Sequence, residues 1–79
     1  MKLYIVASYI YGPETRENEE PVVFQTKASA RDYLKRIWKR TSKDDLDEHM
    51  DSGLVSEDLL IIYYDNDTVS ELEIFEVEV

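Results

Sequence analysis

The sequence predicts an α+β domain of order ββα(α)ββ, a four-stranded antiparallel sheet with one main amphipathic helix packed on one face. Runs rich in β-branched and aromatic residues stand at 3–11, 21–25, 59–64 and 68–79. A 3.6-residue apolar period runs from Ala30 to Thr41, between the second and third runs. Turn signals, Gly12-Pro13 and Asp65-Asn66-Asp67, divide the runs into two hairpins. At 79 residues the chain is long enough for one modest core and no more, so residues 1–79 form a single domain.

The first strand is LYIVASYIY (3–11), apolar on both faces: Leu3, Ile5, Ala7 and Tyr9 alternate with Tyr4, Val6, Ser8 and Ile10. That pattern belongs in a sheet interior. The apolar start is too short for a signal-peptide core with its cleavage site and is interrupted by Tyr4, Ser8 and Tyr9, so it is expected to be a strand. After Gly12-Pro13 the polar run ETRENEE is expected to be a connecting loop. PVVFQ (21–25) is a short second strand, antiparallel to the first, whose Pro21 lacks an N–H and suits a strand start or an edge.

Thr26 is placed to cap a helix over about 27–40, in which Ala30, Tyr33, Leu34, Ile37, Trp38 and Thr41 recur at i, i+3, i+4, i+7, i+8 and i+11. Ser42 is expected to cap a second, short helix, KDDLDEHMDS, ended by Gly53 in a left-handed conformation. LLIIYY (59–64) and TVSELEIFEVEV (68–79) make the second hairpin. In the last strand the apolar phase slips between Ile74 and Phe75. A β-bulge there would keep every glutamate on the wet side.

Charge divides sharply along the chain. The net charge of −9 comprises −2 over residues 1–26, +6 over 27–43, and −13 over 44–79, where thirteen acidic residues face no lysine or arginine. A polyanion repels nucleic acid, whose phosphates are held by lysine and arginine. It is steered toward basic surfaces instead. The absence of cysteine excludes disulfides and thiolate metal sites and fits a reducing compartment. No stretch approaches the ~20 apolar residues of a membrane helix. A cytoplasmic protein without membrane attachment is expected.

Catalytic equipment is sparse: one histidine, two glycines, no cysteine and no phosphate-cradling loop. No enzyme, cofactor or metal is expected. Asp45 and His49, at i, i+4 of the second helix beside Asp44 and Glu48, could share a face for a metal, but zinc sites ordinarily hold three or four ligands. An acidic first turn with a surface histidine is the simpler account. The basic helix face, Arg31, Lys35, Arg36, Lys39 and Arg40, suggests phosphate contacts with Trp38 or Tyr33 stacking on bases. Both rings, however, lie on the stripe the core needs.

The acidic hairpin is more distinctive. Glu71, Glu73, Glu76 and Glu78, alternate residues ~6.5–7 Å apart, would form one row of carboxylates extended by Asp65 and Asp67, with Tyr63 and Tyr64 as aromatic neighbours. Such a row imitates a phosphate backbone to a protein that holds nucleic acid through arginine and lysine. Charge on an edge strand also serves simply to keep sheets from joining edge to edge. Tyr4, Tyr9, Tyr11, Tyr33, Tyr63 and Tyr64 cannot all lie under one helix, and those on the uncovered face suit an interface, either with a partner or in a homodimer.

The LYIVASY opening strand, the TKASARDYLKRIWK helix and the carboxylate-rich C-terminal hairpin together resemble, in size, charge and layout, the small acidic proteins of bacteriophages and mobile elements, including anti-CRISPR and other host-defence inhibitors. The likeness covers most of the chain and carries no residue roles across. The −13 block and the glutamate row lead to the expectation of a non-enzymatic binding protein that occludes a basic, nucleic-acid-handling surface of a partner protein, in the manner of a phage-encoded inhibitor; the alternatives are a structural or regulatory interaction module or homodimer, and a weak nucleic-acid binder through the basic helix.

Overall fold

A computed structural model describes residues 1–79. The sheet has five strands, not four: β1 (Lys2–Tyr11), β2 (Arg16–Phe24), β3 (Gly53–Ser56), β4 (Leu59–Tyr63) and β5 (Val69–Glu78), with the single helix α1 (Lys27–Arg40) between β2 and β3. The spatial order is β2-β1-β5-β4-β3 and every neighbouring pair is antiparallel. β5 is the middle strand, flanked by β1 and β4, and β2 and β3 are the edges.

Three expectations are corrected. The run 16–20 is strand, not loop. Gly12 and Thr15 close a tight turn through Gly12 N–H to Thr15 O at 2.7 Å, and pairing resumes at Arg16 opposite Tyr11. The register shifts between Val6 and Ser8, leaving Glu20 and Pro21 opposite Ala7 alone. A proline without an N–H is accommodated at such a bulge on an edge.

The second helix does not form: only a 3-10 turn, Lys43–Asp45, is present. The segment has one short apolar stripe to bury, whereas its backbone finds partners beside β4. Leu46 bridges Tyr64, Asp47 N–H donates to Tyr63 O at 3.0 Å, and Asp65 N–H donates to Asp45 O at 3.0 Å. Ser52 Oγ accepts from Tyr63 N–H at 2.7 Å. Gly53, at φ +142°, then opens β3 in a conformation that favours glycine, with Trp38 3.6 Å from where a Cβ would stand.

β5 carries no bulge. Its register with β1 runs unbroken from Lys2↔Glu78 to Tyr11↔Val69, and it is a central strand, not an edge. Strict alternation therefore places Leu72 and Ile74 on the helix side and Phe75 and Val77 on the other.

The core is small: Val6, Ala30, Leu34, Leu60, Ile62 and Leu72, with Tyr4, Phe24, Tyr33, Ile37, Trp38 and Ile74 packed around it. Helix α1 spans the range its periodicity predicts and presents Ala30 and Leu34 to the sheet. Thr26 Oγ1 accepts from Ser29 N–H at 3.1 Å at its start, and Lys39 and Arg40 occupy its last turn, where the helix dipole favours cations. Arg31 fastens the helix to the β3–β4 turn, with Nε 2.8 Å from Asp58 Oδ1 and Nη1 2.9 Å from Glu57 Oε2.

Candidate interaction surface

One helix covers one side of the sheet. The other side is open, and alternation from the buried residues fixes what it displays. Leu3, Ile5, Tyr9 and Tyr11 come from β1, with Val69, Glu71, Glu73, Phe75 and Val77 from β5. Leu59, Ile61 and Tyr63 of β4 and Val23 of β2 widen it. Val23 is 54% exposed, Phe75 43% and Tyr11 41%, high values for side chains of this kind.

Two carboxylates stand in the middle of this apolar field. Glu71 lies between Tyr9 on β1 and Ile61 on β4; Glu73 lies between Ala7 and Leu59. Both are half-buried by these neighbours and neither makes an ion pair. The rings of Tyr9 and Tyr11 stack at 6.3 Å with 15° between their planes, forming a flat aromatic step beside Glu71.

The expected single row of carboxylates is therefore divided. Glu71 and Glu73 share the open face with Tyr63. Glu76 and Glu78 alternate with Phe75 and Val77 onto the helix side, beyond the end of α1, where Glu76 meets Lys2 at 3.7 Å and Glu78 meets the N-terminal ammonium at 3.4 Å. Tyr64 also turns to the helix side and packs against the core. Asp65 and Asp67 are exposed at the β4–β5 turn, which Asp67 helps form with φ +65° and Thr68 closes by donating its N–H to Asn66 Oδ1 at 3.1 Å. Leu59, Ile61, Val69 and Phe75 join the open face without having been singled out in the sequence. Their signal is the plain period of two, which the expected bulge at Ile74-Phe75 reversed for Phe75.

The basic helix face is differently placed. Arg31 is held by Asp58 and Glu57, while Lys35, Arg36, Lys39 and Arg40 are exposed and form no ion pair. No aromatic ring accompanies them. Tyr33 packs on Phe24 at 5.4 Å, and the face of Trp38 is occupied by the Lys43 ammonium, 3.0 Å from the ring centroid, which also donates to Trp38 O at 3.0 Å. The hydrogen bond from Arg31 holds the Asp58 carboxyl below its ordinary value; partial burial opposes the shift, and the charges of Arg31 and Lys27 add to it. The same contact raises the Arg31 guanidinium above its already high value.

Asp45 and His49 do not share a helix face, because no helix forms there; His49 is exposed, with its N–H donated to Asp47 Oδ1 at 2.9 Å. No group of three or more His, Asp or Glu side chains is arranged to hold a metal ion. No helix is long and apolar enough to cross a membrane. No protein-family model matches the chain, and neither the curated proteins nor the solved structures compared with it yield a match.

Proposed function

We propose that this protein acts by binding, not by catalysis, and that it occludes a basic, nucleic-acid-handling surface of a partner protein with its open sheet face. The observation that carries this reading is the pair of unpartnered carboxylates, Glu71 and Glu73, set among half-buried apolar and aromatic side chains of the open face. An apolar surface that covered them without bringing cations would strand two charges out of water, at a cost of several kcal/mol per ion. A partner rich in arginine and lysine removes that cost and is steered in by the −9 net charge.

Charge beside flat rings is also what single-stranded nucleic acid offers its binders, which pair cations with phosphates and stack bases on aromatic side chains. Glu71 beside the Tyr9–Tyr11 step presents the same combination in protein form. A homodimer through this face is the second reading, favoured by its exposed apolar area. Against it, a two-fold stack centred on the face would press Glu71 and Glu73 onto their own copies.

The test is capture from lysate on immobilised protein at low salt, with the retained protein eluted by rising salt and challenged with a single-stranded oligonucleotide. The expected result is that E71Q/E73Q retains nothing, E76Q/E78Q retains the partner as wild type does, and the oligonucleotide competes. Retention by E71Q/E73Q equal to wild type, or indifference to the oligonucleotide, refutes the reading.

A further inference from the structure

Helix α1 does not close fully on the sheet. Beneath its second half a cleft of about 220 Å³ lies between Tyr33 and Ile37 above and Ser8, Ile62, Ser70 and Leu72 below. Side-chain size produces it: Ser8 and Ser70 are the smallest residues on the helix-facing sides of β1 and β5, and they meet diagonally, since Ser8 pairs with Leu72 and Ile10 with Ser70. The helix spans the gap they leave.

The cleft is polar at defined points. Ser8 is only 7% exposed, its hydroxyl has no hydrogen-bond partner within the chain, and it is not sealed off, so what surface it retains opens into the cleft. A hydroxyl that opens into a cleft is free to accept a hydrogen bond from whatever occupies it. Water could serve one hydroxyl, but walls of Ile37, Ile62, Leu72 and Tyr33 are poor hosts for the remaining volume. At the mouth stands Glu19 of β2, opposite Ser8 in the β1–β2 register, exposed and free of any ion pair. No lysine or arginine lines the cleft.

From these observations we infer that the cleft binds a small primary ammonium compound with an aromatic or branched apolar body. The ammonium, a donor with no acceptor capacity, sits between the Glu19 carboxylate and the Ser8 hydroxyl, both of which accept. The apolar body lies under Tyr33 and Ile37. The volume corresponds to about seven water molecules, enough for a ring with a short arm and too little for a larger ligand. The absence of a cation in the lining disfavours carboxylates and phosphates. This site is on the helix side of the sheet and independent of the open face.

The experiment is a two-dimensional NMR titration with phenethylammonium, with 2-phenylethanol as the neutral counterpart and phenylacetate as the anionic one. Phenethylammonium is expected to shift the backbone amides of Ser8, Ile10, Ser70 and Leu72 saturably, 2-phenylethanol more weakly at the same residues, and phenylacetate least. E19Q, on an exposed edge position that the fold does not depend on, should weaken phenethylammonium about fivefold, to the level of the alcohol, and leave the alcohol unchanged. S8V should abolish both by filling the cleft. Non-saturating shifts, shifts centred elsewhere, phenylacetate binding as tightly as the ammonium, or an E19Q variant indistinguishable from wild type each overturn the inference.

Discussion

Leu34 is fully enclosed between α1 and the sheet, and in a core of six residues each one carries a large share of stability. Truncation of a buried leucine to alanine costs about 2–5 kcal/mol, while a chain of this length is stable by roughly 4–12 kcal/mol. L34A is therefore expected to lose about a sixth of the total at the least, and all of it at the other end of these ranges, read as a fall in the urea midpoint. The Thr26 cap is a smaller effect: T26A strands the Ser29 N–H and should cost about 1 kcal/mol without changing the fold by circular dichroism. Gly53 combines φ +142° with the Trp38 ring close by, so G53A should destabilise by about 1–3 kcal/mol. A urea midpoint unchanged by G53A would show that β3 begins differently.

Among the elements, α1 is tied to the distant β3–β4 turn by Arg31, and this tie gives the fold an acid sensitivity. Asp58 has its carboxyl depressed in the folded state, so the contact stabilises above the ordinary aspartate value of the unfolded chain and the gain is lost as pH falls through the lower folded value. D58N should lower stability at pH 7 and flatten the decline between neutral and strongly acid pH; equal acid slopes for D58N and wild type would rule the contact out as the cause. The edges are managed by different means. β2 carries Glu17, Glu19, Glu20 and a bulge at Pro21, whereas β3 has only four residues and its own register shift between Leu54 and Ser56. Both edges are poor templates for added strands.

For the whole molecule the governing feature is asymmetry. One side of the sheet is closed by a helix whose outer face is basic; the other is open, apolar and acidic at its centre. Glu71 and Glu73 should keep that open face from stacking on itself. Light scattering should find the wild-type protein monomeric and E71V/E73V associating as concentration rises, since the substitution joins the two apolar halves of the face into one field. A variant that stays monomeric would remove the carboxylates from that role.

Much of the layout is local and can be read from the chain. The period of α1, its Thr26 cap, the apolar character of β1 and the β4–β5 turn at 65–67 depend on residues close in sequence, so propensity and periodicity suffice for them. The residues 16–20 and 53–56 became strands for a reason outside themselves: β1 and β4 offered unpaired backbone groups beside them, and hydrogen bonding outweighed a polar composition. The fate of 43–52 was decided the same way, by partners on Tyr63, Tyr64 and Asp65. The candidate surface lay further from reach. Which glutamates gather depends on whether β5 is regular, and β5 is regular because it pairs along its length with β1, a strand nearly sixty residues earlier in the chain. Sequence alone determined that this protein is acidic and poor in catalytic groups; long-range strand pairing alone decided which of its charges face outward together.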